Sequence, residues 1–142
     1  MIVYRMHRVG SDVFDTTGAF LFSGRWHLAG LRVVYAVEHV SLAALETLIH
    51  TSQIVVPNKA ITKIRIPEDL LVESSEWMEI GQSQIFGSDW VRSGRTAVLR
   101  VPSKAVNQME SSFLINPVHR DFDRIRPGLA RDFAFDLRFF QL

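Results

Sequence analysis

A glycine-bracketed arginine, followed by a strand and then directly by a helix, fixes most of what this chain can build. Between Ser23 and His50 the sequence reads SGRWHLAGLRVVYAVEHVSLAALETLIH. Gly24 and Gly30 flank Arg25, Trp26 and His27, and glycines at both ends of so short a segment predict tight turns or close backbone approach. Leu31, Val33, Tyr35 and Val37 then alternate with Arg32, Val34, Ala36 and Glu38. That period of two predicts a central strand with Tyr35 on its more apolar face. Ser41 offers an N-cap oxygen, and Leu42, Leu45, Leu48 and Ile49 recur at helical spacing, so a helix of about three turns is expected to start there. Glu46 lies beside that apolar stripe. By residue type alone it is ordinarily a solvated flank residue, the alternative being a carboxylate held at the edge of a site. Arg25 and Tyr35 admit the same two readings.

The flanks supply a scaffold. Ile2 to Met6 is a short apolar run with Arg5 embedded in it, a strand in which the arginine requires an anionic partner. Residues 10 to 19 read as a loop, and Pro57 and Asn58 as a turn. Ala60 to Ile66 reads as a half-exposed strand with Thr62, Ile64 and Ile66 on one side and Lys63 and Arg65 on the other. Residues 67 to 84, with Trp77 among acidic neighbours, read as a surface excursion. Ser88 is expected to cap a short helix ending at Gly94. Thr96 to Val101 and Phe113 to Asn116 return as strands, and Phe133, Phe135, Leu137 and Phe139 are expected on one face of a last strand. The sum is α+β, with a mostly antiparallel or mixed sheet and a few short helices in one domain, residues 1 to 142.

Composition narrows the chemistry. The 142 residues are 47 % hydrophobic and include ten phenylalanines, enough for one packed core. The absence of cysteine removes disulfides, thiolate metal ligands and cysteine catalysis, and is compatible with a reducing cytoplasm. Sixteen basic and fifteen acidic residues leave a formal charge of +1, so no field points to nucleic acid. The charged N-terminus is unlike a signal peptide or membrane anchor, and the mature chain is expected to begin there. Neither glycine-rich phosphate loop, GxGxxG or GxxxxGK[ST], is present. The five histidines include two metal-like pairings, His119 with Asp121 and Glu46 with His50; neither has the three or four converging ligands of a zinc site, and no metal is expected.

Taken together, Tyr4-Arg5, Gly24-Arg25-Trp26 with Gly30, the Val33-Val34-Tyr35 strand, the Leu45-Glu46 helix, Gly87 to Val91, Val101-Pro102-Ser103, and Leu114 to Pro117 with His119 resemble the RES-domain toxins of bacterial RES–Xre toxin–antitoxin operons. The resemblance spans nearly the whole chain. It implies an ADP-ribosyltransferase-like fold and an enzyme that cleaves NAD+ at the nicotinamide–ribose bond, by hydrolysis or phosphorolysis, with NAD+ as substrate and no cofactor. ADP-ribosylation of a protein, or an inactive partner-binding module, are the alternatives.

On that resemblance Glu46, Arg25 and Ser103 are the catalytic set. Glu46 stabilises the developing oxocarbenium charge, and Arg25, with Arg5, holds the pyrophosphate. Tyr35, Trp26 and Ser103 complete the NAD-binding residues, Tyr35 by stacking on nicotinamide or orienting the ribose. Ser103 follows a strand and a Val-Pro pair as the family pattern expects and is a positioning hydroxyl, with Ser112 the runner-up. Ser112, Asn107 and Arg120 stand where many relatives have asparagine, proline and proline, departures that fall on the C-terminal wall of the pocket. The implied partner is an Xre-type helix-turn-helix antitoxin that covers the active site. No membrane or direct nucleic-acid binding is implied, a homo-oligomer is allowed, and the setting is the bacterial cytoplasm.

Overall fold

A computed structural model describes residues 1–51 and 54–140. Among them, the strands are β1 (Ile2–Arg8), β2 (Val34–Val37), β3 (Lys59–Arg65), β4 (Val72–Ser74), β5 (Val98–Pro102), β6 (Ser111–Ile115), β7 (Arg126–Pro127) and β8 (Arg131–Phe133). The α-helices are α1 (Thr17–Leu21), α2 (Val40–His50) and α3 (Ile80–Ser93). One sheet runs β4-β5-β6-β2-β1-β3-β7, with β8 also paired to β3. Only the β4–β5 pair is parallel. This is the mixed, mainly antiparallel α+β sheet that the sequence predicts.

The period of two assigns the strands to two packed faces. Val3, Val34, Ala36, Ile64, Val98, Phe113 and Ile115 share one cluster with Val13, Ile66, Leu70 and Ile125. Val33, Leu99, Val101 and Leu114 face the other way, against Trp26 and Trp90, with Tyr35 packed beside them. Val37 meets Leu42 and Ala43 of α2 on that same side. β2 is therefore covered on both faces, which explains its run of Val, Tyr and Ala.

Besides the end of the expected 10 to 19 loop, which is helical from Thr17 in α1, four expectations need correction. In α2, His39 rather than Ser41 occupies the cap position, with no side-chain cap bond. Its buried edge runs through Leu42 and Ala43 to Thr47, whose hydroxyl lies 3.2 Å from Met6 Sδ. Leu45 and Ile49 are instead 40 % and 61 % exposed, so Glu46, one turn on from Leu42 and Ala43, stands on the sheet side of the helix. Second, α3 begins eight residues before Ser88, because its buried positions are Ser83, Gly87, Ser88 and Trp90. A face of small and polar residues leaves almost no apolar period to read. Its end is as expected, with Gly94 left-handed at φ 63° and its N–H on the Trp90 carbonyl.

Third, residues 67 to 84 are not an excursion, since they supply β4 and the first turn of α3. Fourth, the aromatic tail is a strand only through Phe133. Asp136 then accepts the Arg138 N–H at 2.9 Å and turns the chain into a 3-10 helix over Leu137–Phe140. Phe135 is buried there, while Leu137 and Phe139 are exposed.

Candidate active site

The small face of α3 exists to let the Gly24–Leu28 segment approach. A Cβ on Gly87 would overlap the Trp26 carbonyl oxygen, so helix and segment meet backbone to backbone. Hydrogen bonds then staple them together. Ser83 Oγ donates to the Arg25 carbonyl at 2.6 Å, Gln84 Nε2 to the Gly24 carbonyl at 2.9 Å, and Leu28 N–H to Ser88 Oγ at 3.0 Å. The Arg25 side chain is held as well: Nη1 donates to Ser83 Oγ, Nη2 to the Met78 carbonyl, and its Cζ lies 4.4 Å from the centre of the Trp77 ring.

Tyr35 closes the segment from below. Its hydroxyl accepts the Trp26 N–H at 3.1 Å and lies 2.7 Å from His27 Nδ1. His27 Nε2 is 2.8 Å from the Ala19 carbonyl, which can only accept, so the ring proton is assigned to Nε2 and Nδ1 accepts from Tyr35. Burial pushes the phenol pKa up, against smaller opposing effects of the Trp26 N–H and Arg25. Tyr35 thus stays a protonated strut. Gly24 is glycine for this pair, because a Cβ there would come within 2.7 Å of the Tyr35 hydroxyl and 2.8 Å of the His27 ring. Gly30, at φ 96°, is the turn proper.

Glu46 and Ser103, far apart in sequence, meet on the same side of the sheet. Ser103 Oγ donates to Glu46 Oε1 at 3.0 Å. Ser103 is buried, its N–H on the Glu110 carbonyl and its own carbonyl accepting the Gln108 N–H. Between them Asn107 and Gln108 both adopt left-handed backbone, at φ 55° and 64°. Two such non-glycine residues cost on the order of 1 kcal/mol each or more, so the loop geometry around Ser103 is imposed by its surroundings. Ala105 and Val106 provide them, packing on the Val37–Leu42–Ala43 cluster. Glu46 Oε2 lies 3.5 Å from His50, and the Glu46 side chain keeps 30 % exposure. Ser112 lies within β6 opposite Val37 and Val101, so Ser103 is the serine that meets the glutamate.

The rest of the expected set divides. Trp26 is 2 % exposed, its ring edge-on to Phe86; it anchors the arginine segment from within the core and presents no ring surface to a ligand. Arg5 alternates with Tyr4 onto the opposite face of β1 from Met6 and α2. Its Nη1 donates to the Tyr35 carbonyl at 2.7 Å, while its Nε is buried without a partner. β1 and β2 are in register only at Tyr4↔Val37, and the Arg5 side chain adds a bond to β2 beyond that pair. Its partner is therefore a carbonyl rather than the anion the sequence suggested. No hydrogen bond or ion pair among the described residues joins Arg25 to Glu46. The Trp77 ring under Arg25 also lies 5.8 Å from Nζ of Lys104, the residue that follows Ser103 in the chain. Nothing in the spacing marked Trp77, Ser83 or Lys104, because each acts through a tertiary contact.

Of the metal-like pairs, His119 Nδ1 is occupied by the Asp121 N–H at 3.0 Å, and Glu46 with His50 is a two-residue contact. A different trio, Glu38, His39 and Glu110, brings its ligand atoms within 4.8 Å of one another. Glu38 there accepts the Ser111 N–H at 2.7 Å and faces Arg100, and His39 faces Glu110 at 2.8 Å, so the trio clasps α2 to the β5–β6 hairpin. Among the described residues no helix is long and apolar enough to cross a membrane.

Comparison with known proteins gives the family of the chain. The RES domain family model matches residues 2–137. A Prs ADP-ribosylating toxin of Sphingobium sp. (strain YBL2) is 34 % identical, over 90 % of this chain and 87 % of that protein. A Toxin Res of Photorhabdus laumondii is also 34 % identical, over 97 % of this chain and 96 % of that protein. The crystal structure of the M. tuberculosis MbcT–MbcA toxin–antitoxin complex contains a chain of the same fold, with a TM-score of 0.67 at 15 % identity over 99 % of this chain and 86 % of that one. The chain thus belongs to the RES-domain family, its members' likeness running from β1 through the Arg25 segment and the Glu46 helix to the last turn.

Proposed function

We propose that the chain is the toxin of a toxin–antitoxin pair and that it cleaves NAD+ at the nicotinamide–ribose bond. The observation that carries this reading is the Ser103 Oγ to Glu46 Oε1 hydrogen bond across 57 positions of sequence. Breaking the glycosidic bond sends its electron pair to nicotinamide and leaves positive charge on the ribose, which a fixed carboxylate stabilises most in the transition state. Ser103 orients Glu46 by occupying Oε1, and Oε2, which has only the exposed His50 at 3.5 Å, serves a ribose hydroxyl. Arg25 spends one N–H of each terminal nitrogen on Ser83 and Met78 and keeps its remaining donors for a diphosphate. Tyr35 has its hydroxyl committed to Trp26 and His27, so its part is to place the Arg25 segment and offer a ring edge. The acceptor is water or phosphate, the setting the cytoplasm, and the partner an Xre-type antitoxin that covers the site. The names of the Res relatives and the toxin–antitoxin title of the structural neighbour support the pairing.

A second reading, transfer of ADP-ribose to a protein, is favoured by the name of the Sphingobium relative. Both share bond cleavage and differ in what reaches the ribose afterwards. Purified protein and Glu46→Gln are incubated with NAD+, with and without phosphate, and nicotinamide and the ribose product are separated by chromatography. Release by wild type, at least about 10²-fold slower in Glu46→Gln, is expected from loss of one transition-state contact. Equal turnover removes Glu46 from this role. Label from NAD+ appearing on protein instead selects the transferase, and no reaction of either kind leaves a binding module.

A further inference from the structure

We propose that Trp77 and Lys104, with Arg25, form a subsite for a flat heteroaromatic ring carrying a diphosphate, the nucleoside-diphosphate half of a dinucleotide. The inference rests on the NAD+ reading above. Trp77 lies in the connection between β4 and α3, and two cations converge on its ring, Arg25 at 4.4 Å and Lys104 at 5.8 Å. Like charges gathered on one indole repel. Several other cations of this chain are paired, among them Arg95 with Glu73, Arg100 with Glu38, and Arg124 with Asp69. Among the described residues neither Arg25 nor Lys104 has a carboxylate within ion-pair distance; the only acceptors of Arg25 are the neutral Ser83 hydroxyl and Met78 carbonyl.

An anion entering between the two cations relieves that repulsion. The guanidinium supplies a planar fork and the ammonium a mobile point charge, the two complementary ways of holding phosphate. Trp77 is only half-buried, so its ring has surface on which a base can stack. Lys104 directly follows Ser103, which bonds Glu46. A diphosphate at Arg25 and Lys104 therefore lies next to the ribose end of the site.

The chain provides its own reporter. Of its three tryptophans, Trp26 and Trp90 are 2 % and 0 % exposed, so fluorescence quenched by acrylamide comes from Trp77. ADP-ribose is expected to shield that fluorescence in wild type and to do so more weakly in Lys104→Ala. In turnover, Lys104→Ala should raise KM for NAD+ roughly tenfold with kcat within about twofold, the signature of lost ground-state binding. Trp77→Phe, which retains a ring, should stay within about threefold of wild-type KM, while Trp77→Leu should lose at least about fivefold. Far-UV circular dichroism confirms folding, and exposed Lys104 gives a variant with no packing to lose. If wild type releases nicotinamide but Lys104→Ala and Trp77→Leu keep its KM, the subsite is overturned and the NAD+ reading stands. Shielding by ADP-ribose without nicotinamide release supports the subsite and overturns the cleavage reading. Neither shielding nor turnover overturns both.

Discussion

Replacing Gly87 by alanine should destabilise this protein although it improves a helix. The position lies inside α3, where alanine is preferred over glycine by about 1 kcal/mol. The added methyl would overlap the Trp26 carbonyl oxygen, and it would stand 2.8 Å from the Trp26 carbonyl carbon and 3.3 Å from its Cβ. Overpacking a core costs about 1–3 kcal/mol, and here the upper end applies, because a backbone carbonyl cannot rotate aside as a side chain does. The net loss is then about 2 kcal/mol, from a total of about 5–15 kcal/mol for a typical domain. With a urea slope of about 2 kcal/mol per molar, the unfolding midpoint falls by about 1 M.

Gly81, on the same helix, is the control: a Cβ there meets nothing within 4 Å, so Gly81→Ala should raise stability by about 0.5 kcal/mol. Opposite signs from one substitution type in one helix are the expected result, read by urea unfolding followed by circular dichroism. If Gly87→Ala matches or exceeds wild type, α3 does not touch the Trp26 backbone, and the stapling of Arg25 through Ser83, one turn earlier, loses its basis.

Two further tests address the strut and the clasp. Tyr35→Phe leaves the buried Trp26 N–H without its acceptor and His27 Nδ1 without its donor, and should cost about 1–3 kcal/mol in urea unfolding; an unchanged midpoint would show that the hydroxyl holds neither group. His39 is raised in pKa first by its hydrogen bond to Glu110, with the Glu110 and Glu38 charges adding and desolvation opposing. A raised folded value means stabilisation that is complete below the ordinary imidazole value of about 6.5 and lost as pH rises through the raised one. The melting temperatures of wild type and Glu110→Gln should therefore converge as pH increases through that window, and the His39 NMR titration should fall back towards the ordinary value in the variant. A His39 titration that Glu110→Gln does not move would dismiss the clasp.

The functional alphabet was easier to read than its geometry. The Val33–Val37 alternation marked β2, Gly94 marked the end of α3, and the resemblance singled out Arg25, Tyr35, Glu46 and Ser103. Periodicity failed at α3, because close backbone approach selects Ser83, Gly87 and Ser88 over apolar residues. It misled in α2, where Leu45 and Ile49 form a stripe that faces outward. Residue type singled out Arg5 and Trp26, yet it could not say that one spends its guanidinium on the Tyr35 carbonyl and the other lies in the core.

What the sequence alone determined was the local grammar: strands of period two, a glycine-bracketed arginine, and a glutamate on the helix that follows a strand almost directly. Each depends on interactions among near neighbours along the chain. Only the tertiary structure decided which face of α2 looks at the sheet, that Ser103 rather than Ser112 reaches Glu46, and that Trp77 gathers Arg25 and Lys104. Those outcomes depend on contacts between segments tens of residues apart, set by how whole faces pack, and no window of sequence contains them.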